Sequence, residues 1–144
     1  MLILPPIREP DDFGAGYFGA PRGSRTHNGI DFSAPPGAKI CSVCDGRISR
    51  FGYPYGDDLT YRYVEVTDTN GDMVRYFYAV PPDGNFGNVG HQVKKGGVIG
   101  VVQDIAARYN TDTKKMNNHF HFEVKRDGEY LNPAEWLKNA GVEI

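Results

Sequence analysis

The chain has 144 residues, 40% of them hydrophobic and 24% charged, a balance that suits one globular core with no need of a disulfide staple. Its formal charge of −2 offers no basic face to nucleic acid, and no stretch is apolar for long enough to span a membrane. Neither nucleic acid nor a membrane is an expected partner, and with no repeat or linker in view residues 1–144 read as a single domain.

At the start, Met1 to Leu4 is cut short by Pro5 and Pro6 and lacks a basic lead, so it does not read as a secretory signal. Lys39 to Val43 and Arg47 to Phe51 are the first strand candidates, separated by the turn dipeptide Asp45-Gly46. Tyr61 to Val66 and Met73 to Tyr78 flank Asn70-Gly71. Their β-branched and aromatic content predicts a hairpin. Val98 to Val102 and His119 to Lys125 are further strand candidates, and Asp83-Gly84 and Asp127-Gly128 are further hairpin turn signals. One helix is well marked near the end: Asn132 can cap it, Pro133 suits its first turn and Gly141 stops it. The predicted fold class is mostly β, an antiparallel sheet or sandwich-like core with a short C-terminal helix.

Two segments fit less simply. Asp104 to Asn118 holds a helical turn around Ile105 to Arg108 and then runs polar; it either walls a cleft beside the next strand or forms a solvated loop. Cys41 and Cys44 are the only cysteines. With no second pair to complete a cysteine zinc site, they read as ordinary strand thiols rather than a redox or zinc motif.

The chemistry gathers on histidines, of which there are four, at 27, 91, 119 and 121. Side chains alternate along a strand, so His119, His121 and Glu123 share one face and Phe120, Phe122 and Val124 the other. The two histidines then stand about 6.6 Å apart, at ~3.3 Å per residue, over an apolar core face. A second element is His27-Asn28-Gly29-Ile30-Asp31. As a straight strand it would hold His27 and Asp31 about 13 Å apart, whereas a turn or bulge at Asn28-Gly29 brings them together. Two imidazoles and one carboxylate are the protein ligands of a catalytic zinc site with its fourth position open to water. Spacing alone does not say which of His119 and His121 would bind. The helical His-Glu-x-x-His signature is nowhere in the chain.

His27-x-x-x-Asp31 followed by Phe32-Ser33-Ala34-Pro35-Pro36-Gly37, with His119-Phe120-His121 closing the domain, resembles the lysostaphin-type (LytM-type) zinc endopeptidases that cut bacterial peptidoglycan. Phe18-Gly19, Asp45-Gly46, Tyr78-Ala79, the run Gly90 to Gly100 and Asn132-Pro133 extend the likeness over about residues 13–140. The resemblance implies a β fold of the duplicated hybrid motif type with zinc (Zn2+) at the floor of a groove. It implies His27, Asp31 and His121 as zinc ligands and His119 as general base for the attacking water. It also implies peptidoglycan peptides as the substrate. Together with the missing export signal it suggests a phage lysin or virion-associated wall hydrolase. Such a protein would be a monomer or a module of a larger phage or secretion assembly, made in the cytoplasm and delivered to the wall or periplasm by holin, virion or injection machinery.

The chain departs from this family at one point. Where a histidine is usual, Val80 follows Tyr78-Ala79, leaving an acid or oxyanion-stabilising role for His91 or a tyrosine to fill. Val80 therefore also motivates an alternative, a catalytically impaired lysostaphin-type fold that acts as a wall-binding or structural protein. A carrier domain is a further rival, since Gly90 to Gly100 has a biotinyl-carrier flavour, but no Met-Lys pair is present.

Overall fold

The computed structural model describes residues 2–87 and 89–144; Met1 and Asn88 lie outside them. In chain order the described elements are β1 (Pro21–Arg22), β2 (Arg25–Thr26), β3 (Ile30–Ser33), β4 (Lys39–Cys41), β5 (Gly46–Gly52), β6 (Tyr63–Asp68) and β7 (Met73–Phe77). They continue with β8 (Ala79–Val80), β9 (Gln92–Val93), β10 (Val98–Val102), α1 (Ala106–Tyr109), β11 (His119–Arg126), β12 (Glu129–Leu131) and α2 (Pro133–Asn139). The predicted class, antiparallel β with a C-terminal helix, is what forms.

The main sheet runs β12-β11-β7-β6-β5-β9, and β3 lies along the first half of β11 on the edge whose second half is taken by β12. A smaller sheet, β4-β10-β8, packs against it, and β1-β2 form a short ribbon. The core fills the space beneath β11, where Phe120, Phe122 and Val124 meet Phe32, Ile30, Val74 and Tyr76. Each such side chain taken out of water stabilises the fold by about 1.5–3 kcal/mol. The Tyr76 hydroxyl, buried with its ring, accepts a hydrogen bond from the Val43 amide at 3.0 Å, so the core carries no stranded polar group there.

Two of the turn signals act as expected. Asn70-Gly71 closes β6 onto β7, and Asp127-Gly128, with φ of 52° and 81°, closes β11 onto β12 in the doubly left-handed turn that such dipeptides favour. The other two are corrected. Asp45-Gly46 is no hairpin, because the chain there leaves the small sheet for the main one: β4 pairs with β10, and β5 with β6 and β9. Asp83-Gly84 turns between β8 and β9, which lie in different sheets. Cys44 also falls outside a strand, in the bend after β4, and burial pushes its thiol up to about 11. Both cysteines are free.

Helix α2 begins as the sequence indicates, with the Asn132 side chain accepting from the Ala134 amide at 3.0 Å, a cap worth ~1 kcal/mol. Trp136 donates its ring N–H to Asp72 Oδ2 at 2.9 Å, and Arg126 grips the same carboxylate through two bonds of 2.8 Å. The β6-β7 turn, β11 and α2 are thereby tied together at one aspartate.

Candidate metal centre

Strand register assembles the site. In the antiparallel pairing of β3 with β11, His121 stands directly opposite Asp31, and Phe120 opposite Phe32. A slip of one residue would send Asp31 to the core face. Preceding β3, the chain bends at Asn28-Gly29 and brings His27 back over Asp31. Only glycine fits at 29, since a Cβ there would lie 2.2 Å from the Phe122 carbonyl oxygen and 2.8 Å from the His121 ring. The bend foreseen at Asn28-Gly29 is present, and this close approach explains why it needs glycine.

Three donor atoms converge. His27 Nε2 is 3.0 Å from His121 Nδ1 and 3.1 Å from Asp31 Oδ1, and His121 Nδ1 is 3.0 Å from the same oxygen. Four donors at 2.0–2.1 Å from a tetrahedral zinc have edges of about 3.3 Å, so the triangle is a few tenths of an ångström tight and otherwise of the right size. The hydrogen-bond network sets which nitrogens are free. His27 Nδ1 faces the Tyr17 carbonyl oxygen at 3.1 Å and His121 Nε2 faces Glu123 Oε1 at 2.9 Å. Both neighbours only accept, so in the neutral rings those nitrogens carry the proton and the converging ones offer the lone pairs a metal would use. Two lone pairs and a carboxylate oxygen aimed at one point call for a cation. Burial opposes charge on His121, but Asp31 and Glu123 outweigh it and push that imidazole up to about 9, so without a metal Nδ1 holds a second proton, which a metal ion would displace. One proton can serve these acceptors only singly; a divalent cation takes all three.

The second oxygen of Asp31 is held from behind. Arg8 donates to Oδ2 through Nε and Nη2, at 3.2 and 3.1 Å, and is itself only 2% exposed. Arg8 also pairs with Asp11, and the Arg22 guanidinium lies 3.6 Å from Oδ2. Burial alone would raise the Asp31 carboxyl, but the imidazoles of His121 and His27 hold it well below the ordinary carboxylate range. Arg8 escapes sequence reasoning because a lone arginine 23 residues before its partner carries no spacing signal.

His119 stands next to the trio. Its Nδ1 donates to the Asn117 carbonyl oxygen at 2.9 Å, and its Nε2 lies 3.7 Å from Asp31 Oδ2. Burial lowers its pKa below the ordinary histidine value, so the ring is neutral at pH 7 with the lone pair of Nε2 on the metal side.

All four residues open onto a cleft of about 420 Å³, whose wall also includes Ile105, Tyr109 and Met116. Of the two readings for Asp104 to Asn118, the cleft wall is the one that holds. Tyr55, Phe77 and Tyr78 line the cleft as well. Val80 is not among the lining residues; it pairs with Val101 in the small sheet. His91 is exposed and lines a different cleft, beside Pro81 and Pro82. Of the run Tyr78-Ala79-Val80, Tyr78 is the residue that lines the cleft.

Residues 25–133 match peptidase family M23. The chain belongs to that family. Uncharacterized proteins of Mycobacterium bovis and Mycobacterium tuberculosis are 25% identical to it over 139 residues, 96% of this chain. The chain spans only 30% of the length of those two relatives. Among solved structures, Helicobacter pylori Csd3 superposes with a TM-score of 0.62 at 26% identity, over 94% of this chain and 33% of Csd3. The catalytic domain of the antimicrobial peptidase lysostaphin from Staphylococcus simulans does so with a TM-score of 0.63 at 23% identity, over 87% of this chain and 90% of that domain. Most of the candidate centre, His27, Asp31, His119 and His121, lies inside the M23 match, whereas Arg8 lies before it.

Proposed function

We propose that this M23 chain is a zinc metalloendopeptidase that hydrolyses peptide bonds in bacterial peptidoglycan, with His27, Asp31 and His121 as metal ligands and His119 as general base. The observation that carries this reading is the convergence of His27 Nε2, Asp31 Oδ1 and His121 Nδ1 beside the free Nε2 of a neutral His119. Family membership and the likeness to lysostaphin-type enzymes support peptidoglycan peptides as the substrate.

When bound, zinc supplies Lewis-acid polarisation of a carbonyl and makes water acidic enough to react near pH 7. The chain's own residues do the rest. His119 Nε2 accepts a proton from the attacking water as its oxygen bonds to the carbonyl carbon. The same ring then returns the proton to the leaving amine as the C–N bond breaks. Glu123 and the Tyr17 carbonyl fix the two ligand imidazoles in their tautomers, so little reorganisation is needed when substrate arrives. The wall-binding, non-catalytic alternative drew its support from Val80. That residue stands outside the cleft, and the activity of the zinc-loaded protein decides between the two readings.

The test is digestion of purified peptidoglycan by the zinc-loaded protein. New free amines should appear without new reducing sugar ends, a chelator should stop their release and zinc should restore it. His119→Ala should keep about one zinc per chain and lose ~10²–10⁴ in rate. No zinc after metal supplementation, or reducing ends in place of amines, would refute the reading.

A further inference from the structure

Strand alternation places Met73, Arg75 and Phe77 of β7 on the metal side of the sheet and Val74 and Tyr76 in the core. The next residue, Tyr78, should therefore follow Tyr76 downward. It does not, because its φ is 65°, a left-handed conformation that disfavours any residue with a Cβ. The backbone is locked there: the Tyr78 and Ala79 amides both donate to the Arg62 carbonyl, at 2.8 and 3.1 Å, and the Tyr78 carbonyl accepts from Gln103 at 2.8 Å. The kink passes the chain from β7 in one sheet to β8 in the other and turns the Tyr78 ring onto the metal face. Glycine would serve the turn with less strain, so the turn does not account for the tyrosine.

The side chain occupies a defined place. Its ring meets His119 edge to face, with centroids 5.6 Å apart and planes at 81°, and it walls the cleft that holds the candidate ligands. Its hydroxyl lies 3.3 Å from that of Tyr55, which lies 2.5 Å from that of Tyr109. Tyr55 stacks parallel to Tyr78 and carries the Arg108 guanidinium 3.7 Å above its ring. The three hydroxyls form a chain along one wall, held by packing.

We propose that Tyr78 is a catalytic residue of the hydrolysis, its hydroxyl donating a hydrogen bond to the carbonyl oxygen of the scissile peptide as that oxygen gains negative charge. Burial pushes the Tyr78 hydroxyl above its ordinary range, so it keeps its proton at neutral pH and acts as a donor that is not consumed. A donor fixed beforehand at the developing oxyanion stabilises the transition state more than the ground state. Within the chain, Tyr55 is a positioning residue, orienting the Tyr78 hydroxyl through the contact between the two hydroxyls at 3.3 Å.

This assignment rests on the peptidase reading, and the experiment separates the two. The zinc-loaded protein is compared with Tyr78→Phe and Tyr55→Phe on a soluble cross-link peptide. For Tyr78→Phe we expect kcat to fall ~10²–10³-fold, with KM within about threefold, zinc stoichiometry unchanged and the melting temperature preserved. Tyr55→Phe, which leaves the Tyr78 hydroxyl in place, should lose less than Tyr78→Phe. A Tyr78→Phe rate within about threefold of the parent overturns the assignment while leaving the peptidase reading intact. A rate loss accompanied by loss of zinc overturns it too, since it makes Tyr78 a support of the metal site. An inactive parent with zinc bound refutes the peptidase reading itself.

Discussion

Asp31 and Asp72 are both buried aspartates, each 3% exposed, and each is held below the ordinary carboxylate range. Their surroundings differ in what they leave undone. Asp72 is closed: Arg126 reaches both oxygens and Trp136 adds a third bond, so charge and lone pairs are answered by the protein alone. Asp31 is answered on one side only. Arg8 takes Oδ2, while Oδ1 faces two imidazole nitrogens whose other ring atoms are already committed as donors. A carboxylate saturated by a guanidinium holds a fold together. A carboxylate half-saturated and facing lone pairs is a place for a metal ion.

The strongest break of that contrast is Asp31→Ala. It should take bound zinc from about one per chain to near none and bring hydrolysis to background, read by elemental analysis and by amine release. Zinc retained at full stoichiometry would remove Asp31 from the ligand set.

A subtler change sharpens it. Arg8→Met removes the donors behind Asp31 but leaves the three converging atoms in place. Partners of this kind typically alter metal affinity 10–100-fold, and a loss of that size is expected in competition against a chromophoric chelator. An unchanged affinity would mean that Arg22, 3.6 Å away, suffices to neutralise Oδ2.

The smallest effect belongs to the closed aspartate. Asp72→Asn should destabilise the fold by about 1–2 kcal/mol at neutral pH, at or just below the low end of the ~1.5–3 kcal/mol range for hydrogen bonds to charged groups, because Arg126 is half-exposed and solvent screens the pair. Zinc content and hydrolysis should stay unchanged. The Arg126 hydrogen bonds depress the folded-state pKa of Asp72, so its stabilisation is fully present above the unfolded value of ~3.9 and is lost as pH falls through the folded value. The stability gap between parent and variant should therefore be wide at pH 6 and close under strong acid, measured by urea unfolding across pH. A gap that persists in acid would assign the effect to packing.

Sequence alone determined the elements whose cause is local. Alternation in His119 to Val124 fixed which face of β11 is core and which is polar, because a strand offers no third choice. The dipeptides Asn70-Gly71 and Asp127-Gly128 and the Asn132 cap marked their turns and helix start through short-range hydrogen bonding and backbone preference. Asp45-Gly46 carried the same local signal and was misleading, since whether a turn closes a hairpin depends on which sheet the next strand joins. Tertiary structure alone decided the rest. The register of β3 on β11 set Asp31 opposite His121, and Arg8 came to Asp31 from a segment with no marked spacing. At Tyr78, pairing with two different sheets forced a left-handed kink and reversed the side expected from alternation. These features depend on contacts between residues far apart in the chain, whose energies a local pattern does not contain.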